Sequence, residues 1–259
     1  MEDLDGAQPG LDEVTALALT GYGHFTTMRV ENGSVRGLTR HLARLERDCR
    51  TVFGAALDLD LVRRELRRAA AGSSGTVVVR VTVFDPDLSL AHPAGEARPQ
   101  LLVTTRPAPP VPQGPFRVQP VRHLRQVPRV KHTGLFDGLY LRRAAQLAGY
   151  DDVLFTPDGR EVAEGATWNV GFFDGRQVLW PQAEQLPGIT MALLAEAPGH
   201  LTRPVLLDEL PTMQAAFATN AAVGVRPIAA VGAVEFPAEH PVLDRLRAQY
   251  AAITPEPVG

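Results

Sequence analysis

Polar and apolar positions follow two different periods along the first hundred residues. From Thr39 to Phe53 the apolar residues recur at helical spacing, which predicts an amphipathic helix, and a second helix is predicted from Leu59 to Ala71. Phe25 to Val35 instead predicts two short strands joined at Asn32-Gly33, because both residues tolerate the positive φ of a hairpin turn. Two β-branched runs predict buried strands: Val77 to Phe84 and Leu101 to Thr105.

Beyond residue 115 the pattern changes to short strands separated by turn residues and a few helical segments. The predicted strands are Phe116 to Val121, Val127 to Val130, Val153 to Phe155, Thr167 to Phe173 and Gln177 to Trp180. A helix is predicted from Leu135 to Leu147, stopped by Gly149, and another pattern of helical period covers Met191 to Ala197. The second half is therefore predicted to be rich in strands, with helices packed outside.

Prolines suggest where the two halves are joined. Five of them fall between Arg106 and Pro115, a density that a central strand does not tolerate, because proline cannot donate to the ladder. We predict a flexible tail over residues 1–12, a small N-terminal α/β domain over 13–105, a linker over 106–115 and a larger domain over 116–259. The predicted fold class is α/β (α+β) with two domains.

Charge, apolar runs and cysteine content indicate which partners and which cellular compartment to expect. The chain has 259 residues and a formal net charge of -3, with arginines and acids interspersed, so no basic face for nucleic acid is expected. The start Met1-Glu2-Asp3 lacks a positive n-region and no apolar run is long enough to span a membrane, so we expect a cytoplasmic protein that does not bind membranes. The single cysteine, Cys49, excludes an intramolecular disulfide and a multi-cysteine metal site, and we expect no metal.

Lysine occurs only once in the chain. Of the 26 basic side chains, all are arginine except Lys131. Lysine, unlike arginine, loses its proton when it is desolvated and then attacks a carbonyl to form a Schiff base. Lys131 is therefore a candidate catalytic residue. The alternative is that codon usage favours arginine and that one lysine remains by chance.

Other residues have the chemistry that an aldehyde cofactor with a phosphate and a pyridine ring requires. Glu164 precedes an apolar strand and is a candidate partner for the ring nitrogen, or else an exposed turn acid. Leu186-Pro187-Gly188-Ile189-Thr190 offers a turn and a hydroxyl for a phosphate, or else a plain helix cap. A second small polar turn contains Asn220 and Ala221. Arg44 adds a fixed charge, unless it lies on a solvated helix face.

Taken in order, these motifs resemble the class IV aminotransferases, the fold type IV group of pyridoxal-phosphate enzymes. The group includes branched-chain and D-amino-acid aminotransferases and aminodeoxychorismate lyase. The resemblance implies that Lys131 is the Schiff-base lysine, that Glu164 in Glu-Gly-Ala-Thr-Trp-Asn pairs with the pyridine nitrogen, and that Arg44 in His-Leu-Ala-Arg-Leu binds the phosphate. It also implies that the cofactor is held by Leu186, Gly188, Ile189, Thr190, Asn220 and Ala221. Pyridoxal 5'-phosphate, a small amino acid, amine or oxo acid substrate and a homodimer are implied as well.

Some positions depart from the family pattern. Gly134 stands where the lyases usually have asparagine, Phe136 where branched-chain enzymes have tyrosine, and Met191 where arginine is common. Asp85-Pro86-Asp87 replaces an expected segment rich in glycine and arginine. Three functions are therefore considered. The first is transfer of an amino group between an amino acid or amine and a 2-oxo acid. The second is a 4-amino-4-deoxychorismate lyase that releases pyruvate and 4-aminobenzoate, which Phe25-Thr26-Thr27-Met28-Arg29-Val30 favours. The third is a degenerate, non-catalytic cofactor-binding protein.

Overall fold

A computed structural model of the chain describes residues 2–4, 9–71, 75–111 and 114–259. Its elements in chain order are β1 (Glu2–Leu4), α1 (Leu11–Thr20), β2 (Gly23–Val30), β3 (Ser34–Val35), α2 (Leu38–Phe53), α3 (Leu59–Ala71), β4 (Val77–Phe84), β5 (Gln100–Pro107), β6 (Phe116–Arg122), α4 (Phe136–Leu147), β7 (Asp152–Thr156), β8 (Asn169–Phe173), β9 (Val178–Pro181), α5 (Ile189–Ala195), β10 (His200–Arg203), a 3-10 helix (Leu207–Thr212), β11 (Ala215–Asn220), β12 (Gly224–Val231), β13 (Val234–Glu235), α6 (Pro241–Ala252) and β14 (Glu256–Pro257). The mixed α/β class is as predicted from the sequence.

The chain forms two compact units. The first contains Met1–Pro110, Val130–Gly134 and Pro255–Gly259, and the second contains Val111–Arg129 and Leu135–Thr254. The predicted division differs in two segments, because it assigned residues 130–134 and 255–259 to the larger domain. Both segments are held by hydrogen bonds to strands of the first unit, which spacing along the sequence cannot reveal. Part of the tail predicted over residues 1–12 belongs to regular elements instead, because residues 2–4 pair with β5 as β1 and residues 11 and 12 begin α1. Residues 1 and 5–8 of that tail, and residues 112 and 113 of the predicted linker, lie outside the described residues.

The first unit is built on an antiparallel sheet with strand order β1-β5-β4-β2. Alternate residues of β2 and β4, such as Met28 and Val79, join a core with α2 and α3. The predicted hairpin is confirmed, with Asn32 at φ 50° and Gly33 at φ 70° between β2 and β3. These left-handed values explain why asparagine and glycine occupy the turn.

The end of the chain completes this unit. Strand β14 pairs with β3, and Val258 is buried in the same core. Helix α2 begins after Gly37, which has no side chain to cap it, and the Glu256 carboxylate accepts a hydrogen bond from the Thr39 N–H at 3.0 Å instead. A group distant in sequence therefore satisfies the start of the helix that contains Arg44.

The second unit is built on a mixed sheet with strand order β10-β9-β8-β11-β12-β6-β7. Strand β6 runs parallel to both β7 and β12, whereas β11 is antiparallel to β8 and β12. Helix α4 packs on β7, and α5 and α6 pack on β11 and β12. Aromatic residues fill both faces, with Trp168 and Phe172 in one core and Trp180 and Phe217 in the other.

One predicted strand is wrong. Residues 127–130 form a turn rather than a strand, with Val127 at φ 45° and Pro128 next to it. A left-handed residue followed by a residue without an N–H cannot continue a ladder. Among the described residues, no helix combines the length and the apolar character needed to cross a membrane.

Candidate active site

Lys131 is fixed through its backbone within the first unit. The Lys131 carbonyl accepts a hydrogen bond from the Phe25 N–H at 2.8 Å, and the Thr133 N–H donates to the Gly23 carbonyl at 2.8 Å. The Lys131 N–H donates to Asp48 Oδ2 at 3.0 Å. Residues 130–134 therefore lie along the start of β2, and the only lysine of the chain is held on both sides.

The Lys131 and Arg80 side chains both form cation–π contacts with the Phe25 ring. The Lys131 Nζ lies 4.8 Å from the centroid of the Phe25 ring, and the Arg80 Cζ lies 3.7 Å from the same centroid. The Lys131 amine and the Arg80 guanidinium therefore both contact the Phe25 ring. Arg80 lies opposite Thr27 in the β2–β4 register, on the sheet face away from the core.

Arg80 has no anionic partner in the part of the chain that the structure describes. Its Nε donates to Thr82 Oγ1 at 3.1 Å, and no described carboxylate forms a salt bridge with it. The Arg80 side chain is half-buried, and this burial lowers the pKa of its guanidinium. A half-buried guanidinium without a described carboxylate partner suits an anionic group of a ligand.

Arg44 is buried on α2 rather than solvated, at 6% exposure. Its Nη2 donates to Thr26 Oγ1 at 2.6 Å, while its Nε is buried without a partner. Burial lowers the pKa of Arg44 to about 10, and the Asp48 charge opposes this shift. A buried guanidinium with an unused donor is suited to an oxyanion such as a phosphate.

His41 completes this polar group. It is fully buried and its Nδ1 lies 2.7 Å from Thr26 Oγ1. Burial and then the Arg44 and Lys131 charges hold the pKa of His41 well below its usual value. The lowered pKa favours the neutral imidazole, and Thr26 Oγ1 pairs with Nδ1 while accepting a hydrogen bond from Arg44 Nη2.

Glu164 is buried in the second unit, at 5% exposure, and is not an exposed turn acid. Its backbone carbonyl accepts from the Phe155 N–H at 2.7 Å, which places it beside β7. Its Oε1 accepts from Arg125 Nε at 2.8 Å, and its Oε2 accepts from the Leu186 N–H at 3.2 Å. The carboxylate is therefore oriented by two donors.

The segment from Leu186 to Thr190 is built tightly around Asn169. The Asn169 amide donates to the Leu186 carbonyl at 2.8 Å and to the Gln185 side chain at 3.1 Å. A Cβ at Gly188 would lie 1.9 Å from Asn169 Oδ1, so only glycine fits there. Ile189 begins α5, and Thr190 is 1% exposed with its hydroxyl buried and unpartnered.

Asn220 uses its side chain within its own turn. Its Oδ1 accepts hydrogen bonds from the Ala222 N–H at 3.0 Å and the Val223 N–H at 2.9 Å. The neighbouring Thr219 is 1% exposed and its hydroxyl is buried without a partner. Ala221, at the tip of this turn, is half-buried. Asn220 therefore shapes the turn, and its carboxamide oxygen is already used.

The predicted residues fall into two groups, one in each unit. Lys131 and Arg44 belong to the first. The second unit contains Glu164, Leu186, Gly188, Ile189, Thr190, Asn220 and Ala221. The sequence did not single out Asp48 or Arg125 as contacts of Lys131 and Glu164. His41 had a signal, since it begins the quoted motif His-Leu-Ala-Arg-Leu, and so did Phe25 and Thr26, which lie in the stretch that favours the lyase.

The structure also shows where the three residues that depart from the family pattern lie. Met191 is partly buried against the core that contains Trp180 and Phe217. Phe136 is the first residue of α4, is 75% exposed and stacks on Tyr140. Gly134 has His132 as its neighbour, 3.3 Å from where a Cβ would lie. Met191 is explained by packing, whereas nothing in the structure explains Phe136.

Comparison with known proteins identifies the family. The sequence matches the family described as amino-transferase class IV over residues 23–231. No curated protein sequence matches the chain. Among solved structures, 4-amino-4-deoxychorismate lyase from Pseudomonas aeruginosa is 26% identical, with a TM-score of 0.81 and coverage of 96% of this chain and 97% of that one.

Two further structures share the fold at lower identity. A hypothetical aminotransferase from Mycobacterium tuberculosis in its PLP-bound form has a TM-score of 0.82 at 19% identity and covers 98% of both chains. Branched-chain amino acid aminotransferase from Escherichia coli has a TM-score of 0.83 at 18% identity, with coverage of 98% of this chain and 94% of that one. Because the family match spans most of the sequence, the chain belongs to the class IV aminotransferases.

Proposed function

We propose that this protein is a pyridoxal-phosphate-dependent aminotransferase that moves an amino group between an amino acid or amine and a 2-oxo acid. The observation that carries the proposal is the placement of the Lys131 amine and the Arg80 guanidinium around the Phe25 ring. A primary amine supplies the chemistry at the substrate nitrogen, and a neighbouring guanidinium without a carboxylate partner suits the carboxylate of an amino or oxo acid.

The residues fit the cofactor in several respects. Arg44 Nε in the first unit and Thr190 Oγ1 in the second are buried polar atoms without partners, and each suits a hydrogen bond to a phosphate oxygen. Glu164 is a buried carboxylate held in place by Arg125 and the Leu186 N–H, which suits a hydrogen bond from a protonated ring nitrogen. We propose that the cofactor is held by Lys131, Glu164, Arg44, Leu186, Gly188, Ile189, Thr190, Asn220 and Ala221.

Each of these side chains has a distinct task in the proposed reaction. Pyridoxal phosphate, when bound, supplies an electron-withdrawing ring that eases loss of the proton on the substrate Cα. The Lys131 amine would hold the cofactor and, once the incoming substrate amine had replaced it, would be free to take the proton from the substrate Cα, a positioned transfer that contributes about 10² to 10⁴ in rate. Glu164 holds a proton at the ring nitrogen, and Arg80 orients the substrate carboxylate.

The experiment that tests this function is a half-reaction on purified protein loaded with pyridoxal phosphate. Single amino acids and amines are added in turn, and the cofactor absorbance is recorded with product analysis for the matching 2-oxo acid. We expect at least one donor with a carboxylate to convert the cofactor fully to its amine form. Bound cofactor that reacts with no donor across a broad panel would favour the non-catalytic alternative.

The lyase remains a second candidate. The similarity to the Pseudomonas aeruginosa lyase over nearly the whole chain supports it, and so does the stretch from Phe25 to Val30. The two activities differ in their need for an acceptor. Release of pyruvate from aminodeoxychorismate without any 2-oxo acid acceptor would identify the lyase, whereas amino transfer requires the acceptor.

We further propose a homodimer that acts in the cytoplasm. The resemblance to the family supports the homodimer, and a chain with a single, buried cysteine suits a reducing compartment. Light scattering after size-exclusion chromatography tests the assembly. A mass near twice 28.0 kDa is expected, and a monomer at micromolar concentration would contradict the proposal.

A further inference from the structure

Arg125 connects two parts of the second unit that the proposed reaction needs. Its Nε donates to Glu164 Oε1 at 2.8 Å, and its Nη2 donates to the Pro128 carbonyl. The Arg125 and Glu164 side chains are 16% and 7% exposed, so this ion pair is largely shielded from water. Pro128 lies three residues before Lys131 in the sequence. One guanidinium thus holds both a carboxylate and the backbone of the segment that leads to the lysine.

The bonded segment contains a strained residue. Val127 has φ 45°, a left-handed value that is costly for a β-branched side chain. The Val127 side chain is 56% exposed, so packing does not compensate for the strain. The hydrogen bond from Arg125 to Pro128 spans Val127 and holds the backbone on both sides of it. A strained backbone conformation of this kind persists only where the surrounding contacts hold it in place.

We propose that Arg125 is a positioning residue that fixes the Glu164 carboxylate for the cofactor and, through Pro128, the backbone that enters Lys131. This inference rests on the proposed function. With Arg125 on Oε1 and the Leu186 N–H on Oε2, neither carboxylate oxygen is free to rotate. A group held in its bound geometry beforehand binds its ligand without an ordering cost.

The geometry requires arginine rather than a generic cation. Nε and Nη2 belong to one planar group, and they reach two acceptors in fixed directions. A lysine at this position would keep the ion pair with Glu164 but not the fork that also binds Pro128. Arg125→Lys is therefore expected to be intermediate, and Arg125→Met should lose both contacts.

The test measures the dissociation constant of pyridoxal phosphate by absorbance titration of the apoprotein. Variants are Arg125→Met and Arg125→Lys, each made in the wild-type and Glu164→Gln backgrounds. Arg129→Met is the matched control, because Arg129 lies nearby in sequence, is 77% exposed and is 4.0 Å from the exposed Glu184. Thermal melting of each apoprotein checks that it is folded.

We expect Arg125→Met to raise the dissociation constant about tenfold in the wild-type background and less than threefold when Glu164 is already glutamine. Arg125→Lys should recover part of the affinity, and Arg129→Met should stay within twofold of wild type. An equal loss in both backgrounds, or an Arg125→Met variant that matches the Arg129→Met control, would overturn the inference. If wild-type protein bound no pyridoxal phosphate, the proposed function itself would fail.

Discussion

The Lys131 N–H donates a hydrogen bond to Asp48 Oδ2 at 3.0 Å, across 83 residues of sequence. Asp48 is fully buried on α2 and also accepts from the Arg47 side chain at 2.6 Å. Lys131 is thereby tied to the helix that contains Arg44, within the first unit. Helix α2 therefore contains Arg44, the proposed phosphate ligand, and also holds the backbone of Lys131, the proposed catalytic residue.

Asp48→Ala should therefore damage both stability and cofactor binding. Loss of a buried acceptor leaves the Lys131 N–H unsatisfied, which costs about 1–3 kcal/mol of unfolding free energy and lowers Tm by several degrees. We expect cofactor affinity to fall about tenfold as the Lys131 backbone loosens. The control is Glu46→Ala, which breaks an exposed pair with Arg50 and should change neither quantity measurably. Equal behaviour of the two variants would argue against the anchor.

Arg80→Met should separate substrates by their charge. A charge-assisted hydrogen bond contributes about 2 kcal/mol, so kcat/KM for an amino acid should fall about thirtyfold. Amines without a carboxylate should react at an unchanged rate, because they make no use of the guanidinium. Arg106→Met is the control, since Arg106 is exposed on the same strand pair. A uniform loss for amino acids and plain amines would contradict the assigned contact.

The buried histidines predict how stability depends on pH. Burial lowers the pKa of His24 to about 4, and that of His41 lies well below its ordinary value. The unfolded chain takes up a proton at each histidine near pH 6.5, while the folded protein does not. Each histidine therefore reduces the free energy of unfolding by about 1.4 kcal/mol per unit as pH falls below about 6.5, and adds no slope above about pH 7.

His24→Leu isolates one of these contributions. Both ring nitrogens of His24 are buried without partners, so an apolar replacement should raise the free energy of unfolding by about 1–2 kcal/mol at neutral pH. It should also flatten the pH dependence between about pH 6 and pH 4.5. Urea titrations over this range measure both effects. His92→Leu, at an exposed site, should leave the slope as in wild type.

Gly188→Ala should disrupt the segment around Asn169. The new Cβ would lie 1.9 Å from Asn169 Oδ1, and Asn169 is only 4% exposed and bonded to Leu186. We expect a loss of about 1–3 kcal/mol in unfolding free energy and little cofactor binding. The control is Gly138→Ala in α4, where the new Cβ would lie at an ordinary contact distance, 3.6 Å, from the Ala166 Cβ. This variant should be neutral or stabilising by up to about 1 kcal/mol. Retention of full affinity in Gly188→Ala would show that this segment does not contact the cofactor.

The sequence predicted most elements of the fold because periodicity is local. Helix α3 has the predicted bounds, and α2 and α4 differ by one residue at their starts. Turn chemistry identified the hairpin at Asn32 and Gly33 for the same reason. The false strand over residues 127–130 arose from apolar composition. Its backbone is instead held by Arg125, which is bonded to Pro128 and to Glu164, 39 residues farther along the chain.

The candidate site was less accessible from sequence. Residue types singled out Lys131 and Glu164, whereas their hydrogen-bonded neighbours Asp48 and Arg125 lie 83 and 39 residues away along the chain. In an arginine-rich sequence no spacing rule distinguishes Arg125 from the solvated arginines. The orphaned donors of Arg44 and Thr190 depend on burial, which also follows only from the assembled fold.

The most direct measurement is borohydride reduction of the protein with pyridoxal phosphate, followed by peptide mapping and mass spectrometry. We expect one stable phosphopyridoxyl adduct, on Lys131, absent in Lys131→Ala, and we expect Glu164→Gln to retain the adduct while losing most of its turnover. Unmodified Lys131 in the presence of excess cofactor, or full turnover by Lys131→Ala, would contradict the account.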